Sequence, residues 1–247
     1  MNRMRYFLLS LLMLALFGCE DPAATANATR NIRAFYFPVD ELYEGSVYEY
    51  ESIGNKHDPP FYWYYRTINI EDKTYFTGMY YDYTFTPFQF IREEVLNNGM
   101  QLEDFYWYQT DSTSGLQEKV PVNIESAHIF PFQVSRPPGV LVSSINWELP
   151  EDTATTVTFI RNRQFDNDTS ILYKNVAFEG INMHVLELID TENQGHLEQE
   201  YTARETYAKG IGLVYFEKNI DPQWQMKYRL KDTYSMEEFL QKAQPPN

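Results

Sequence analysis

The sequence predicts a mainly β protein, built as a single antiparallel sheet that is strongly curved or forms an open barrel, with one short C-terminal helix. Short runs rich in Tyr, Phe, Thr, Val and Ile follow one another from Phe35 to Arg229, and these residue types favour strands. Gly, Pro, Asn and Asp separate the runs, as expected for turns. No stretch of this region keeps a helical period over three turns. Together these observations favour antiparallel strands.

Residues 1–18 have the plan of a secretory signal peptide, in which Arg3 and Arg5 precede a 12-residue apolar run, Tyr6 to Phe17. This run is too short to cross a hydrocarbon core, which needs about 20 residues. The next residues, Leu16-Phe17-Gly18-Cys19, resemble the bacterial lipobox. The resemblance implies cleavage before the cysteine, diacylglycerol on its thiol and a further acyl chain, such as palmitate, on its amine.

Cys19 is the only cysteine of the chain, so no internal disulfide can form, and an exported free thiol would be a liability. Two or more acyl chains, at about 0.8 kcal/mol per buried CH₂, make a stable anchor. We therefore expect lipid attachment at Cys19, which would hold the protein to the bacterial outer membrane on its periplasmic or cell-surface side. The acidic pair Glu20-Asp21 also resembles the surface-export signal of Bacteroidetes lipoproteins.

Residues 19–34 are predicted to form a flexible tether, because residues 22–31 (PAATANATRN) are small and polar. The net charge of the chain is −15. Loss of residues 1–18 removes two of the 20 basic residues and none of the 35 acidic ones, which leaves −17. Such acidity argues against nucleic-acid binding and against adhesion to anionic lipid through protein charge.

The β domain is predicted to span residues 35–247 without a linker, since candidate strands recur about every 8 to 15 residues. The weakly patterned stretch Ser135 to Ala154 is either a boundary between two lobes or a long crossing loop. The candidate strands are Gly45–Ser52, Phe61–Ile70, Lys73–Tyr81, Phe88–Leu96, Gln101–Tyr108, Gln117–Ile124, Ile129–Gln133, Thr155–Arg163, Ile171–Phe178, Met183–Ile189, Gln199–Ala208, Leu213–Lys218 and Met226–Leu230.

The C-terminal helix is predicted over residues 235–243. Ser235-Met236-Glu237-Glu238 fits a capping box, in which the serine and the second glutamate satisfy each other's free backbone N–H groups. Phe239 and Leu240 continue an apolar helical face, and Pro245-Pro246 ends the run. We expect this helix to close one end or edge of the sheet.

The segment Tyr207 to Val214 (YAKGIGLV) follows an acidic strand and leads into another strand. It resembles the terminal hairpin of β-rich envelope lipoproteins whose sheet curls into an open barrel, and the Lol-type lipoprotein carriers have a similar architecture. The resemblance implies an open-barrel fold and brings no catalytic group. Gly210 and Gly212 permit positive φ in a tight turn or bulge.

The motifs of common enzymes are missing: there is no catalytic Cys, His-Glu-x-x-His, Gly-x-Ser-x-Gly, phosphate loop or dinucleotide fingerprint. We therefore expect no catalysis, no cofactor and no metal. Asp166-Asn167-Asp168-Thr169 offers oxygen ligands but lacks the Gly and distal Glu of a calcium loop, so an Asx turn is favoured. Asp111-Ser112-Thr113 and Asp152-Thr153-Ala154 resemble Bacteroidetes O-glycosylation sequons, at Ser112 and Thr153.

Aromatic residues are concentrated near the start of the domain, where residues 35–108 hold 23 of the 41 in the chain. Strand alternation places Phe61, Trp63 and Tyr65 on one face and the intervening tyrosines on the other. One face can be core, while the other could bind a flat or apolar ligand. The candidate ligand-binding residues are Tyr62, Trp63, Tyr64, Tyr106, Trp107 and Tyr108.

Two functions are therefore expected to compete. In the first, the curved sheet encloses an apolar groove that carries a lipid or other hydrophobic small molecule, and the groove is lined by Phe, Leu, Ile and Met. In the second, exposed Tyr and Trp form a platform for a glycan or a partner protein at the cell surface, with coplanar rings on an open face. With either function, we expect the protein to be non-catalytic and lipid-anchored.

Overall fold

The fold is taken from a computed structural model that describes residues 29–55, 57–110 and 115–244. Cys19 and the predicted signal peptide lie outside these residues. The strands are β1 (Arg30–Asn31), β2 (Ser46–Ser52), β3 (Phe61–Ile70), β4 (Lys73–Tyr81), β5 (Pro87–Val95), β6 (Gly99–Thr110), β7 (Gln117–Pro121), β8 (Asn123–Pro131), β9 (Gln133–Val134), β10 (Val140–Leu149), β11 (Asp152–Tyr173), β12 (Val176–Glu192), β13 (His196–Ala208), β14 (Gly212–Asp221) and β15 (Trp224–Tyr234). Two 3₁₀ turns cover Arg33–Phe35 and Val39–Glu41, and α1 covers Met236–Lys242.

The main sheet is an antiparallel barrel. Its strands follow the order β5-β4-β3-β2-β15-β14-β13-β12-β11-β10-β8-β6, and a further pairing between β5 and β6 closes the ring, from which β7 branches as a second partner of β6. The predicted mainly β class with a short C-terminal helix is confirmed. The predicted shape, a strongly curved sheet or an open barrel, is corrected: the barrel is closed, because β5 and β6 are joined by the short turn 96–98 and pair along seven registered positions.

Strand alternation separates the barrel interior from its outer surface. On β3, Trp63 and Tyr65 share one face, as predicted, and this face points inward, while Tyr62 points outward and is covered by α1. Phe239 of α1 is 1% exposed and contacts Tyr62 with ring centroids 5.2 Å apart. The helix starts at the predicted capping box. None of the helices within the described ranges has the length and apolar character that a membrane crossing requires.

The segment of residues 32–42, called the plug below, fills one end of the barrel, which we call the closed end. The backbone N–H of Ile32 donates to Phe132 and the carbonyl of Ala34 accepts from Gly210. The hydroxyl of Thr67 donates to the carbonyl of Val39 over 2.5 Å. The plug buries six apolar side chains against the inner wall, namely Ile32, Phe35, Tyr36, Phe37, Val39 and Leu42.

The prediction that residues 19–34 form a tether is wrong for its last five residues. Arg30 and Asn31 pair with β9, and Ile32 is fully buried. The prediction was based on the small polar residues of this segment. It could not include the burial of Ile32, because that burial depends on strands more than 90 residues away in the chain. The described part of the chain thus begins at Thr29, at the closed end.

The long strands β11 and β12 correct several local predictions. Val140–Leu149, predicted as a boundary or crossing loop, is strand β10 between β8 and β11. The predicted strand Ile171–Phe178 is a hairpin that turns at Lys174 and Asn175, both with positive φ. Residues 166–168 belong to β11 rather than to a turn: the register shifts at Asp166, and Asn167 pairs with Asn182 of β12.

Candidate functional site

The barrel encloses a cavity of about 460 Å³ that reaches from the plug to the loops at the opposite end, which we call the mouth. Pro59 and Pro60 of the β2–β3 loop and Asp82 and Tyr83 of the β4–β5 loop line it there. Tyr83 is 58% exposed, so the cavity is accessible at this end. Its volume lies within the range of small-molecule sites.

Aromatic side chains form most of the cavity wall on β2 to β6, β14 and β15. Fourteen of the 30 lining residues are Phe, Tyr or Trp, and only six are Ile, Leu or Met. The rings hold one another in place: Phe61 stacks on Tyr50 at 5.0 Å, and Trp63 stacks on Tyr65 at 5.4 Å with an angle of 4° between the planes. Such rings offer a large apolar surface with little loss of side-chain entropy on binding. The wall contains more Tyr than the groove of Phe, Leu, Ile and Met that the sequence predicted.

The opposite wall, on β11 to β14, carries a chain of ion pairs. Arg163 donates to Glu205 through Nε at 3.0 Å, and Arg161 Nη2 lies 2.7 Å from the same carboxylate. Arg161 Nε also lies 2.9 Å from Glu187, whose second oxygen is 2.7 Å from Lys218 Nζ. These side chains share one face because their positions on adjacent strands are in register and of the same parity.

Glu205 is the centre of this network. Burial alone would raise its pKa, but the charges of Arg163 and Arg161 outweigh burial and hold the pKa at about 2. The hydroxyl of Tyr207 donates a further hydrogen bond to Glu205 at 2.8 Å. Burial and the neighbouring carboxylate raise the pKa of Tyr207, so it remains a hydrogen-bond donor. The wall therefore presents fixed charges to the cavity.

Glu93 is a second buried carboxyl group in the cavity, on β5 near the plug. It is 3% exposed and accepts a 2.5 Å hydrogen bond from the hydroxyl of Tyr36. Among the described residues it forms no ion pair. Burial raises its pKa to about 7, although Tyr36 and the charge of Arg163 act in the opposite direction. Its charge can therefore change near neutral pH.

The structure separates the six predicted ligand-binding residues. Trp63 lines the cavity. Trp107 also points inward, and its ring contacts that of Phe105, a lining residue, at 4.8 Å. Tyr62 is 6% exposed beneath α1 and is not available to a ligand. Tyr64 lies on the outer surface, where its hydroxyl donates to the carbonyl of Glu44.

Tyr106 and Tyr108 lie on the outer surface of β6 but do not form a flat platform, because their ring planes meet at 83°. Lys119 Nζ also covers the Tyr106 ring at 3.4 Å. Ser112 lies outside the described residues, whereas Thr153 is exposed on β11. No cluster of three His, Cys, Asp or Glu side chains suited to a metal ion is found in the described part of the chain.

Sequence reasoning missed the charged residues of the cavity. Arg161 and Arg163 have the same strand parity as the apolar residues Val157 and Phe159, so alternation would have placed two cations inside the barrel. Glu205 shares its parity with Ala203 and Tyr207 in the same way. The sequence signal that could have identified these residues is a charged side chain at an inward-facing position of a predicted strand.

The comparisons with known proteins concern the fold. No protein-family model and no curated protein sequence matches this chain. A Parabacteroides distasonis protein described as a "putative lipoprotein" is similar in structure, with a TM-score of 0.50 and 13% identity over 81% of this chain and 98% of that one. A Bacteroides fragilis "putative exported protein with YmcC-like fold" gives a TM-score of 0.47 and 11% identity over 81% and 99%. The chain thus shares its fold with the first of these proteins.

Proposed function

We propose that this protein is a non-catalytic lipoprotein of the bacterial envelope that binds a hydrophobic ligand inside its barrel. The observation that carries the proposal is the cavity of about 460 Å³, in which nearly half of the lining residues are aromatic and a few polar groups converge. This combination is typical of small-molecule binding sites. The plug occupies the other end, so the ligand enters at the mouth, past Pro59 and Tyr83.

The anchor is proposed at Cys19, within the lipobox-like sequence that ends the predicted signal peptide. Nine residues lie between Cys19 and Thr29, so their Cα atoms are ten steps apart along the chain. A fully extended chain of this length spans at most about 35 Å. Since Thr29 lies at the closed end, the tether would hold that end near the outer membrane and leave the mouth accessible from the aqueous side.

Ligand binding can be tested with N-phenyl-1-naphthylamine, an uncharged fluorophore, added to the full chain carrying Cys19→Ser, which cannot be acylated. We expect saturable binding with enhanced fluorescence. Ser143→Phe should abolish it by filling the cavity, because Ser143 is a buried lining residue. Trp63→Ala should weaken binding about three- to tenfold through loss of a stacked ring.

Tyr64→Ala is the matched control for Trp63→Ala, since it removes the neighbouring ring from the outer surface and should leave binding unchanged. Circular dichroism of each variant establishes that it is folded. The proposal would be overturned if the Cys19→Ser chain, with no further substitution, showed no saturable binding. Equal losses in the Trp63 and Tyr64 variants would instead place the ligand outside the barrel.

The anchor can be tested by mass spectrometry of the native protein extracted from membranes. We expect a chain that starts at Cys19 and carries the mass of diacylglycerol and a further acyl chain. An intact leader, or a free thiol at the mature N-terminus, would contradict anchoring at this residue.

A further inference from the structure

We propose that the cavity ligand is a single-chain amphiphile with an anionic head group, held at Arg161, and that Glu93 takes up a proton when this ligand binds. The inference rests on the proposed function, because it names the ligand class of the same cavity. Three features support it: the accessibility of Arg161, the charge balance of the wall, and the surroundings of Glu93.

Arg161 is the cation that a ligand can reach. Its side chain is 29% exposed, against 8% for Arg163. All three nitrogens of Arg163 are engaged, by Glu205 and by the carbonyl of Ile129. Arg161 Nη2 donates to Glu205, and Nε lies 2.9 Å from Glu187 without forming a hydrogen bond. Its Nη1 also makes no hydrogen bond within the described residues. An anionic group in the cavity would bind there.

The charge balance of the wall depends on Glu93. The pair formed by Lys218 and Glu187 is neutral, and the charge of Glu205 cancels one of the two arginines. If Glu93 is ionised, these six groups have no net charge, and the other carboxylate in the lining, Asp82, lies at the mouth. If Glu93 is protonated, one positive charge is left uncompensated, and burial makes such a charge costly unless an anion pairs with it. An anionic ligand therefore favours protonated Glu93.

The groups that face Glu93 make this exchange possible. Tyr36 of the plug donates to it, and Arg163 of β11 acts on it through its charge. Tyr65 of β3 is near enough for the Glu93 carboxylate to raise its pKa, and Tyr207 of β13 interacts with Tyr36. The tyrosines are neutral, because burial raises their pKa values. Arg163 is already paired with Glu205, so no dedicated counter-ion keeps Glu93 ionised.

The rest of the ligand would lie along the aromatic wall. Phe61, Trp63 and Phe105 line the cavity across from the charged strands, so a molecule with its anion at Arg161 would place its apolar part against these rings. A volume of about 460 Å³ is in the lower half of the range for ligand pockets. This size favours one acyl-type chain.

The test compares decanesulfonate, which stays anionic, with the uncharged decanol, each displacing N-phenyl-1-naphthylamine from the full chain carrying Cys19→Ser. Decanesulfonate affinity should fall about tenfold between pH 6 and pH 8, because protonated Glu93 becomes scarce over this range. Decanol affinity should stay constant. Glu93→Gln should remove the pH dependence of decanesulfonate binding and strengthen it about tenfold at pH 8.

Two further variants complete the design. Glu94→Gln changes the neighbouring carboxylate, which faces outward and pairs with Lys73, and should leave both ligands unaffected. Arg161→Gln should weaken decanesulfonate binding at least tenfold and decanol binding much less. If both ligands bind equally at every pH, the anion and proton inference is overturned while the proposed function stands. If neither ligand binds and the fluorophore also fails, the proposed function is overturned.

Discussion

At the scale of single residues, the interior combines apolar rings with charges that hold each other in place. Arg163 is almost fully buried, and its three nitrogens are paired. Removing one member of such a network leaves its partner with an uncompensated charge, which costs more free energy than the pair itself contributed. Exposed ion pairs lack this penalty, because water replaces the lost partner.

Arg163→Met should therefore lower the free energy of unfolding by about 3 kcal/mol or more, since Glu205 keeps only Arg161 as a cationic partner. Arg229→Met is the control: Arg229 pairs with Glu51, but its side chain is 59% exposed, and the loss should stay below about 1 kcal/mol. Urea unfolding of both variants at pH 7 measures the difference. Similar losses would show that the buried network is not a unit of stability.

Glu93 should give the stability of the protein a distinctive pH dependence. Its pKa is about 7 in the folded protein against an ordinary value of 4.5, so the folded state holds a proton that the unfolded chain releases. This stabilisation is complete below pH 4.5 and is lost as the pH rises through 7. The free energy of unfolding should fall by roughly 3 kcal/mol between pH 4.5 and pH 8.

Urea titrations from pH 5 to pH 8 measure this slope, and Glu93→Gln should flatten it. Carboxylates whose pKa is lowered, such as Glu205, affect stability only below about pH 4.5, so they do not mask the effect. A wild-type stability that stays constant or rises over this range would contradict the assignment.

Strand alternation predicted which residues of β3 share a face, but not what covers each face. Trp63, one of the predicted ligand-binding residues, lines the cavity. Tyr62, another of them, is covered by Phe239, which is 177 positions away in the chain. Arg161 and Glu205 were missed because charged residues on a strand are normally assigned to solvent. Their place in the interior is acceptable only because they form an ion pair across the intervening strand β12, and this contact cannot be read from β11 or β13 alone.

At the scale of elements, β3 and β4 were predicted with the bounds that the structure has, because each is a dense aromatic or β-branched run between clear turn residues. The bounds predicted for the long strands β11 and β12 were wrong. Residues 166–168 have the composition of a turn but lie within β11, and the actual turn, at Lys174-Asn175, contains no glycine. Strand pairing over 17 positions overrides such local preferences.

The plug is the element whose packing depends most visibly on a glycine. Gly212 has a φ of +102°, and a Cβ there would lie 2.5 Å from the Phe37 ring. Gly210 has a φ of +75° but no heavy atom within 4 Å of its Cβ position. Substitutions of these two glycines therefore distinguish the cost of backbone strain from the cost of a contact with the plug.

Gly210→Ala should cost about 1–2 kcal/mol from its left-handed backbone alone. Gly212→Ala should cost about 1–3 kcal/mol more, because the methyl group displaces Phe37. Unfolding free energies measure both, and limited proteolysis should cleave the plug faster in the Gly212 variant only. Equal costs and equal cleavage would contradict the role of Gly212 as the seat of Phe37.

At the scale of the whole molecule, closure of the barrel gives it two unlike ends. The described chain begins at the closed end, and the loops of the mouth lie opposite. Strand β13 has 13 residues, which rise about 43 Å along the strand, and a tilt of about 40° leaves roughly 30 Å between the two ends. The proposed tether, if flexible, has an average end-to-end distance of roughly 17 Å, which is shorter than the barrel, so it would favour the orientation with the closed end towards the membrane.

Two single-cysteine labels test this orientation in the protein with the proposed lipid anchor, because acylation would leave no free thiol at Cys19. Lys209→Cys places a dye on the exposed β13–β14 turn at the closed end, and Tyr83→Cys places it at the mouth. With acceptor lipids in vesicles, energy transfer should be clearly stronger from position 209. Equal transfer from the two positions would mean that the tether lets the barrel turn freely. Stronger transfer from position 83 would mean that the mouth faces the bilayer. No association with vesicles would contradict acylation. Only the expected result would make the aqueous phase the route by which a ligand reaches the cavity.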